Sequence, residues 1–408
     1  MRRFLAILLA ATLTLAHANE IEIFSWWAGD EGPALEALIE VFEARYPGVT
    51  VDNATVTGGA GVVARAVLRT RMLGGDPPDS FQVHAGDSII QTWVVAGRME
   101  DLTFLFEEEG WLDVFPQDLI ELISTPEGIW SVPVNIHRSN VMWYVPANLE
   151  GWGIEAPETW DAFLEMCPAI QAEGVTPLAL GEAWTQLHLW ESVALGMLGP
   201  DRYTQLFTGE LPFNDPAAVA VWERFGEVLD CTNADAAGLS WQQATDMVVD
   251  GDAAFNIMGD WAAGYMVTTL GLEPNTDMGW APSPGTDGVF MVLSDSFGLP
   301  VGAPNRAQAI DWLRVSGSLE GQDAFNPLKG SIAPRLDSDL SLYNAYLQSA
   351  AEDFATDRQV GSIVHGTAAK EAFMSEFATV MEIFLDTGNP QAAANAAEAL
   401  AIQTGLGR

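Results

Sequence analysis

The chain has 408 residues, of which 49% are hydrophobic, so it can bury substantial cores and is not intrinsically disordered. Its formal net charge is −39, from 56 acidic and 17 basic residues, and such a charge repels nucleic acid and anionic membrane surfaces. The acidity indicates solubility first and fits a saline habitat as well, but it does not identify a ligand.

The N-terminus has the pattern of a secretory signal peptide. Two arginines precede an almost unbroken apolar run from Phe4 to Leu15, and Ala16-His17-Ala18 fits the small-x-small cleavage pattern. We predict that residues 1–18 are removed and that the mature protein lies outside the cytoplasm. An uncleaved membrane anchor is the alternative, but the run is too short to span a bilayer comfortably. About 390 residues remain, which predicts two domains.

Strand and helix patterns alternate in the first part of the mature chain. Strands are predicted at 20–24, 49–51 and 81–84 from apolar alternation and β-branched residues. Helices are predicted after Pro33, after the glycine cluster at 58–61, and around 89–95. This β-α-β-α-β order predicts an α/β domain with a mostly parallel sheet.

A second unit begins after Asn135. Thr159 opens a helix that Pro168 should kink or end. Further strands are predicted at 176–180, 253–258 and 290–293, and an alanine-rich helix from Pro390. No flexible linker separates the two units, which indicates that the chain crosses between them several times.

Two cysteines, Cys167 and Cys231, would meet an oxidising compartment after secretion. A disulfide that closes this loop would stabilise the fold by roughly 4 kcal/mol in the chain-entropy model. Two buried free thiols are the alternative, because nothing in the sequence fixes their distance.

The enzyme motifs that we considered are absent from the sequence or incomplete. The sequence contains no His-Glu-x-x-His, no glycine loop ending in Gly-Lys-Ser/Thr, and no Cys-x-x-Cys. The segment 294–298 approaches a nucleophile elbow, but it begins with Ser rather than Gly, and Pro300 and Gly302 interrupt the helix that should follow. We therefore predict no catalytic residue, no metal and no cofactor.

The tryptophan pattern is more informative. The chain has 15 tryptophans, and sugar rings expose C–H faces that lie flat on aromatic rings. Trp26 and Trp27 lie between the first strand and the first helix, where open α/β sheets bind ligands. Glu31, in the same turn, can accept hydrogen bonds from hydroxyls. The alternative is a core tryptophan and a carboxylate that only favours the helix N-terminus.

Two histidines are also candidates for ligand binding. His84 ends a strand, and Gln82 lies two residues earlier on the same face. His365 lies beside Gly366 in a similar context. His137 and His188 have weaker contexts, and we interpret both as structural.

Lys329 is conspicuous because the chain has only two lysines, the other being Lys370, which we interpret as a surface charge. An ammonium donates up to three hydrogen bonds, which suits sugar oxygens. Trp241, Trp261 and Asp295 complete the candidate set; Trp261 follows a strand, and Asp295 is placed at the end of another. Core packing is the alternative for both tryptophans.

These residues lie in segments that resemble the extracellular solute-binding proteins of bacterial ABC sugar importers, and most closely the glucose-binding subgroup. The resemblance runs from about residue 20 to the C-terminus. The segments that carry it are Trp26-Trp27-x-x-x-Glu31-Gly32, Pro78-Asp79-Ser80-Phe81-Gln82-Val83-His84, Gly259-Asp260-Trp261, Asp295-Ser296-Phe297 and Lys329-Gly330-Ser331.

The resemblance implies a periplasmic binding protein without catalytic activity. Its fold would have two α/β lobes of the type II periplasmic binding protein class, joined by several crossovers, with the ligand in the cleft between them. We predict an N-terminal lobe of 19–134 plus 289–327 and a C-terminal lobe of 135–288 plus 328–408.

For the ligand, the resemblance implies ring stacking on Trp27 and Trp261, with Trp26 and Trp241 lining the cleft. Hydroxyl groups would be held by the polar set Glu31, Gln82, His84, Asp295, Lys329 and His365. The sequence departs from some relatives at His84, where they carry a lysine, and this difference bears on which epimer is preferred.

The predicted function is therefore capture of a monosaccharide, glucose first and galactose or mannose next, for delivery to ABC permease subunits by a monomer. A di- or oligosaccharide on the same scaffold is the first alternative. A secreted glycoside hydrolase is the second.

Overall fold

The computed structural model describes residues 19–58, 61–369 and 371–407. The predicted signal peptide, Gly59 of the glycine cluster, and Lys370 lie outside these ranges. Within them, no helix is both long enough and apolar enough to cross a membrane.

The described residues form short strands and longer helices. The strands are β1 Asn19–Ser25, β2 Val49–Thr55, β3 Ser80–His84, β4 Ser124–Thr125, β5 Gly128–Ile129, β6 Ser131–Pro133, β7 His137–Arg138, β8 Val141–Tyr144, β9 Thr176–Ala179, β10 Ala253–Ile257, β11 Gly279–Pro282, β12 Val289–Leu293, β13 Asp295–Gly298 and β14 Arg358–Gly361. The helices are α1 Gly32–Arg45, α2 Val62–Gly74, α3 Asp87–Ile89, α4 Thr103–Glu108, α5 Gln117–Leu122, α6 Pro146–Trp152, α7 Trp160–Ala172, α8 Ala183–Thr208, α9 Pro216–Leu229, α10 Trp241–Val249, α11 Trp261–Gly264, α12 Arg306–Ser316, α13 Leu319–Lys329, α14 Ala345–Thr356, α15 Glu371–Thr387 and α16 Pro390–Thr404.

The first lobe is built on a five-stranded sheet in the order β2-β1-β3-β13-β6. Strands β1, β2 and β3 are parallel, and β13 is antiparallel to both β3 and β6. The buried face of α1 carries Leu35, Leu38 and Phe42, as the helical spacing predicts, and it packs beside α13. The predicted α/β order is confirmed, and β13 adds a strand from far along the chain.

The second lobe contains a four-stranded sheet in the order β11-β8-β10-β9. Strands β9 and β10 are parallel, whereas β8 and β11 run antiparallel to their neighbours. A separate apolar core lies among α7, α8, α9, α15 and α16, and it includes fully buried Trp190 and Trp222. The five-stranded sheet packs in a second large core, which also includes Val141 and Trp143 of β8.

The chain crosses between the lobes at several points. Strand β6 leads through Asn135 to β7, β12 leads directly to β13, and the end of α13 leads to Ile332, which bridges to Ile136. A three-stranded sheet, β14-β12-β7, lies at this junction. The structure is therefore a two-lobed periplasmic binding protein fold with a hinge of several crossovers. The exact lobe boundaries stay a prediction, since β12 from the predicted N-terminal lobe pairs with β7 and β14.

Pro168 was predicted to kink or end this helix, and helix α7 continues through it to Ala172, so the second alternative is wrong. Pro168 lies on the exposed face of the helix, while Phe163, Cys167 and Ile170 are buried on the other face. Packing of that apolar face on both sides of the proline offsets the hydrogen bond that proline cannot donate.

Cys167 and Cys231 form a disulfide in the structure, with Cα atoms 6.1 Å apart. The bond joins α7 to the segment that follows α9. Replacing both cysteines by serine is expected to lower the free energy of unfolding by about 4 kcal/mol, because the unfolded chain regains the entropy of a 64-residue loop. Urea unfolding of the oxidised wild type, the reduced wild type and the double variant tests this; equal midpoints for all three would contradict it.

Candidate ligand-binding cleft

A cavity of about 380 Å³, its opening included, lies between the two lobes beside the hinge. Nine of the ten residues predicted for the site line it, and His137 and Leu293 line it as well. The nine are Trp26, Trp27, Glu31, His84, Trp241, Trp261, Asp295, Lys329 and His365. Gln82 is the predicted residue that does not.

The first lobe contributes residues from one edge of its sheet. Trp26 follows the carboxyl end of β1, and His84 ends the neighbouring parallel strand β3. Asp295 pairs with His84 across the sheet, so it begins β13 instead of ending the strand before it. The rings of Trp26 and His84 meet edge-to-face with centroids 5.2 Å apart. These residues meet because the carboxyl ends of parallel strands share one sheet edge.

The second lobe contributes residues from the starts of helices. Trp241 begins α10, whose first turn is secured by a capping box: Ser240 and Gln243 exchange hydrogen bonds of 2.9 and 3.2 Å. Trp261 begins α11, and its ring lies 5.0 Å from that of His365. At Gly259 a Cβ atom would come within 2.2 Å of the Trp261 ring, so only glycine leaves room for this orientation.

Trp27 is more deeply placed than a simple stacking platform. Its side chain is 1% exposed, and its ring packs against Phe325 and Phe297 with centroid distances of 4.9 and 5.8 Å. Trp26 and Trp261 each retain 8% exposure. The predicted stacking on Trp27 stays a prediction, and the rings of Trp26 and Trp261 are more accessible from the cavity.

Lys329 lies at the centre of a buried chain of polar contacts. Its ammonium is 2.8 Å from Glu31 Oε1 and 3.2 Å from His137 Nε2. Because an ammonium can only donate, His137 Nε2 accepts, and His137 Nδ1 carries the hydrogen that it donates to the buried carboxylate of Asp260. Gly330, at φ +77°, ends α13 directly after Lys329 and so holds the lysine at the hinge.

Burial determines the protonation of the two residues that contact Lys329. It lowers the pKa of His137 well below its ordinary value, with the Lys329 charge acting in the same direction. It raises the pKa of Glu31, and Lys329 opposes that rise. His137 is therefore neutral and able to accept from the lysine. The sequence context of His137 favours a structural role and contains no signal for this contact, because the contact depends on α13 from nearly 200 residues later.

Gln82 lies behind the cavity and connects two of its walls. Its Oε1 accepts from Ser25 Oγ at 2.7 Å and from the Trp26 backbone N–H at 3.1 Å. Its Nε2 donates to Asp295 Oδ1 at 2.9 Å, while Asn135 donates to Asp295 Oδ2 at 2.9 Å. Gln82 thus orients the Trp26 turn and the Asp295 carboxylate; Asn135, which the sequence reasoning missed, does the same from the hinge.

Two further polar contacts join the lobes. Gln242 Nε2 donates to Asp30 Oδ1 at 3.0 Å, and Arg69 lies 3.2 Å from Glu371. Asp30 and Arg69 belong to the first lobe, and their partners to the second. The structure therefore corresponds to an arrangement in which the lobes are in contact over the cleft.

His188 lies behind Trp261, with ring centroids 5.8 Å apart, and its buried Nε2 atom has no hydrogen-bond partner among the described residues. Burial lowers its pKa to about 4. Since an unfolded histidine titrates near 6.5, the unfolded chain binds a proton that the native chain does not, and stability falls as the pH falls from 6.5 towards 4.

Replacing His188 by phenylalanine is therefore expected to flatten the acid dependence of stability. Between pH 6 and 5 the free energy of unfolding should fall more slowly in the variant than in the wild type, and the two slopes should differ by about 1 kcal/mol per pH unit. Urea unfolding at a series of pH values measures the slope for both proteins. Parallel slopes would contradict a neutral, buried His188.

The fold and cleft agree with the comparisons to known proteins. A family model of bacterial extracellular solute-binding proteins matches residues 27–323. The chain belongs to this family.

Individual relatives cover most of the chain. An uncharacterized ABC transporter extracellular-binding protein of Pyrococcus horikoshii is 34% identical over 365 residues, which are 88% of this chain and 82% of that protein. A probable sugar-binding periplasmic protein of Brucella suis is 31% identical over 380 residues, or 88% of this chain and 87% of that protein. The solute-binding family predicted from the sequence is thereby confirmed.

Solved structures share the fold. The bacterial solute receptor AcbH, which has an exclusive substrate preference for β-D-galactopyranose, superimposes with a TM-score of 0.83 at 19% identity. The match covers 95% of this chain and 99% of AcbH. At this identity the likeness supports the two-lobed architecture alone.

Proposed function

We propose that this protein is a periplasmic sugar-binding protein that captures a monosaccharide in its interlobe cleft and delivers it to the permease subunits of an ABC importer. Glucose is the first candidate, with galactose and mannose next. The protein performs no chemistry on the sugar and needs no cofactor.

The observation that carries this proposal is the composition of the cavity wall. Trp26 and Trp261 offer aromatic faces from opposite lobes, and Glu31, Asp295 and Lys329 offer both acceptors and donors. A sugar ring requires both, because its C–H faces pack on aromatic rings while its hydroxyls need convergent polar partners. The Brucella suis relative, itself a probable sugar-binding protein, supports the same class of ligand.

A single sugar ring can supply the affinity that this proposal requires. Micromolar affinity for a hexose requires about 8 kcal/mol. Spread over about a dozen heavy atoms this is roughly 0.7 kcal/mol per atom, within the limit for small ligands.

Binding and lobe closure are coupled because each lobe supplies one part of the wall. A sugar can contact Trp26 and Trp261 at the same time only when the lobes approach each other, so it stabilises the closed arrangement. The closed, loaded form is then the one that the permease distinguishes from the empty protein.

Titration calorimetry of the mature protein against glucose, galactose, mannose, xylose and maltose tests the proposal. We expect a dissociation constant in the micromolar range or below for one hexose. The variant Glu31→Gln should weaken it, whereas Glu36→Gln, the same change on the exposed side of α1, should not. Absence of binding to every monosaccharide, or tighter binding of maltose than of any hexose, would overturn it.

A further inference from the structure

A buried carboxylate lies behind the cavity wall of the second lobe. Glu191 on α8 has 0% exposure. It accepts hydrogen bonds from Ser362 Oγ at 2.9 and 3.0 Å, from the backbone N–H groups of Ile363 and Val364 at 2.9 and 3.3 Å, and from Ser139 Oγ at 3.2 Å. Ser139 follows hinge strand β7, and residues 362–364 lead into His365. Glu191 thus joins the hinge to the loop that carries a cavity residue.

The same contacts determine where the hydrogens lie. Ser362 Oγ is also 2.8 Å from His365 Nδ1. An ionised carboxylate can only accept, so the single hydroxyl hydrogen of Ser362 points to Glu191. The Ser362 oxygen must then accept from His365, and Nδ1 carries the ring hydrogen. Burial lowers the pKa of His365 well below its ordinary value, so the ring is neutral and its Nε2 is unprotonated.

We propose that Glu191 is a positioning residue for ligand recognition: through Ser362 it holds His365 as the Nδ1–H tautomer, so that Nε2 accepts a hydrogen bond from a ligand hydroxyl. Nε2 is the ring nitrogen left for the cavity, since Nδ1 is bound to Ser362. The hydrogen bond from a ligand hydroxyl to His365 rests on the proposed function, whereas the assignment of the tautomer does not.

A metal ion is a poorer explanation of the cluster. Ligand atoms of His188, Glu191 and His365 lie within 4.8 Å of one another. Both oxygens of Glu191 already accept from hydroxyl or backbone donors, and a metal ion would have to displace them.

The ionisable groups that face Glu191 make its charge sensitive to pH. They are His188, whose Nδ1 is 3.5 Å from Oε1, Tyr203 on the same helix, and His365 behind Ser362. Burial raises the pKa of Glu191 to about 7, against the hydrogen bonds from Ser362 and the backbone. Below that pH the protonated carboxyl can donate to Ser362, which frees the serine hydrogen for His365 Nδ1 and moves the ring hydrogen to Nε2.

The variant Glu191→Gln should reverse the hydrogen bonds to Ser362 and His365 in the same way at every pH. Its amide oxygen can keep the backbone N–H groups of Ile363 and Val364, and its NH₂ group then donates to Ser362. The serine hydrogen turns to His365 Nδ1, so His365 should adopt the Nε2–H tautomer at every pH. Since an acceptor towards the ligand has become a donor, sugar affinity should fall by about tenfold to a hundredfold.

Long-range ¹H–¹⁵N spectra of the mature, histidine-labelled protein without sugar measure the tautomer directly. At pH 8 we expect Nδ1–H for His365 in the wild type and Nε2–H in Glu191→Gln, and the wild-type signal should exchange between the two as the pH falls through about 7. Glu150→Gln, the same change on the exposed surface of α6, should leave the spectrum unchanged.

Ser362→Ala provides a second test if the Gln variant does not fold. It keeps the backbone contacts of Glu191 but removes the link, so the His365 tautomer should no longer respond to pH near 7. An Nε2–H wild type at pH 8, or an unchanged tautomer in Glu191→Gln, overturns the proposal. If Glu191→Gln changes the His365 tautomer but binds a sugar as tightly as the wild type does, then the tautomer does not contribute to ligand recognition, and that part of the proposal is overturned. Failure of the wild type to bind any sugar overturns instead the proposed function, and the tautomer result still decides the role of Glu191.

Discussion

Replacement of Trp261 by alanine is expected to weaken binding of the preferred monosaccharide by about a hundredfold or more. The ring is part of the second-lobe wall of the cavity, and it contacts the rings of His365, His137 and His188 at centroid distances of 5.0 to 5.8 Å. A large aromatic side chain at the centre of a desolvated site typically contributes about 3 kcal/mol, which is about 150-fold in affinity. Titration calorimetry measures the change.

The matched control for Trp261 is Trp152→Ala. Trp152 ends α6, away from the cavity lining, and is partly buried, so its loss affects packing without removing a cavity wall. We expect its sugar affinity to equal that of the wild type. If Trp261→Ala binds as tightly as the control, the aromatic face does not contribute to recognition, and the cavity composition loses its main support.

Replacement of Lys329 by methionine is expected to reduce both stability and binding. The lysine is 4% exposed, and its ammonium contacts Glu31 and His137. Removing the buried ammonium leaves the Glu31 carboxylate uncompensated, and because that side chain is 21% exposed we expect a cost of about 3 kcal/mol, at the lower end of the range for buried pairs. Urea unfolding and sugar titration of Lys329→Met measure the two effects separately.

The double variant Lys329→Met with Glu31→Gln separates the two effects. It removes both charges, so the free energy of unfolding should recover most of what the single variant lost. Sugar binding should stay lost, because the ligand no longer meets either the ammonium or the carboxylate. Recovery of binding in the double variant would show that the pair serves the fold and not the ligand. A stable Lys329→Met would contradict the buried pair itself.

The longer elements of the fold were predictable from local patterns. Strands β1, β3 and β10 and the buried face of α1 lie where apolar alternation or helical spacing placed them, because such faces must be buried wherever the chain folds. Strand β7 has only two residues and carries no periodicity to recognise. The continuation of α7 through Pro168 also depended on tertiary packing.

Cleft residues were predictable from the sequence where their position at the end of a strand determines which edge of the sheet they reach. Trp26 and His84 follow parallel strands, so both reach the same sheet edge. Gln82 shares a face with His84 but lies behind the cavity. Strand β13 pairs beside β3 and places Phe297 opposite Gln82 and Asp295 opposite His84, so only the second pair reaches the opening. Nothing near Gln82 in the sequence indicates that neighbour.

Local spacing and residue type were enough to predict the alternating elements of both lobes, the family, and the tryptophans and the rare lysine that line the cleft. Three features could be found only in the folded protein: the partners of Lys329, the place of Gln82 behind the cavity, and the contact of Glu191 with the His365 loop. Those contacts join segments that are separated by up to about 300 residues and meet only at the hinge crossovers, and local periodicity contains no information about which donor will face which acceptor there.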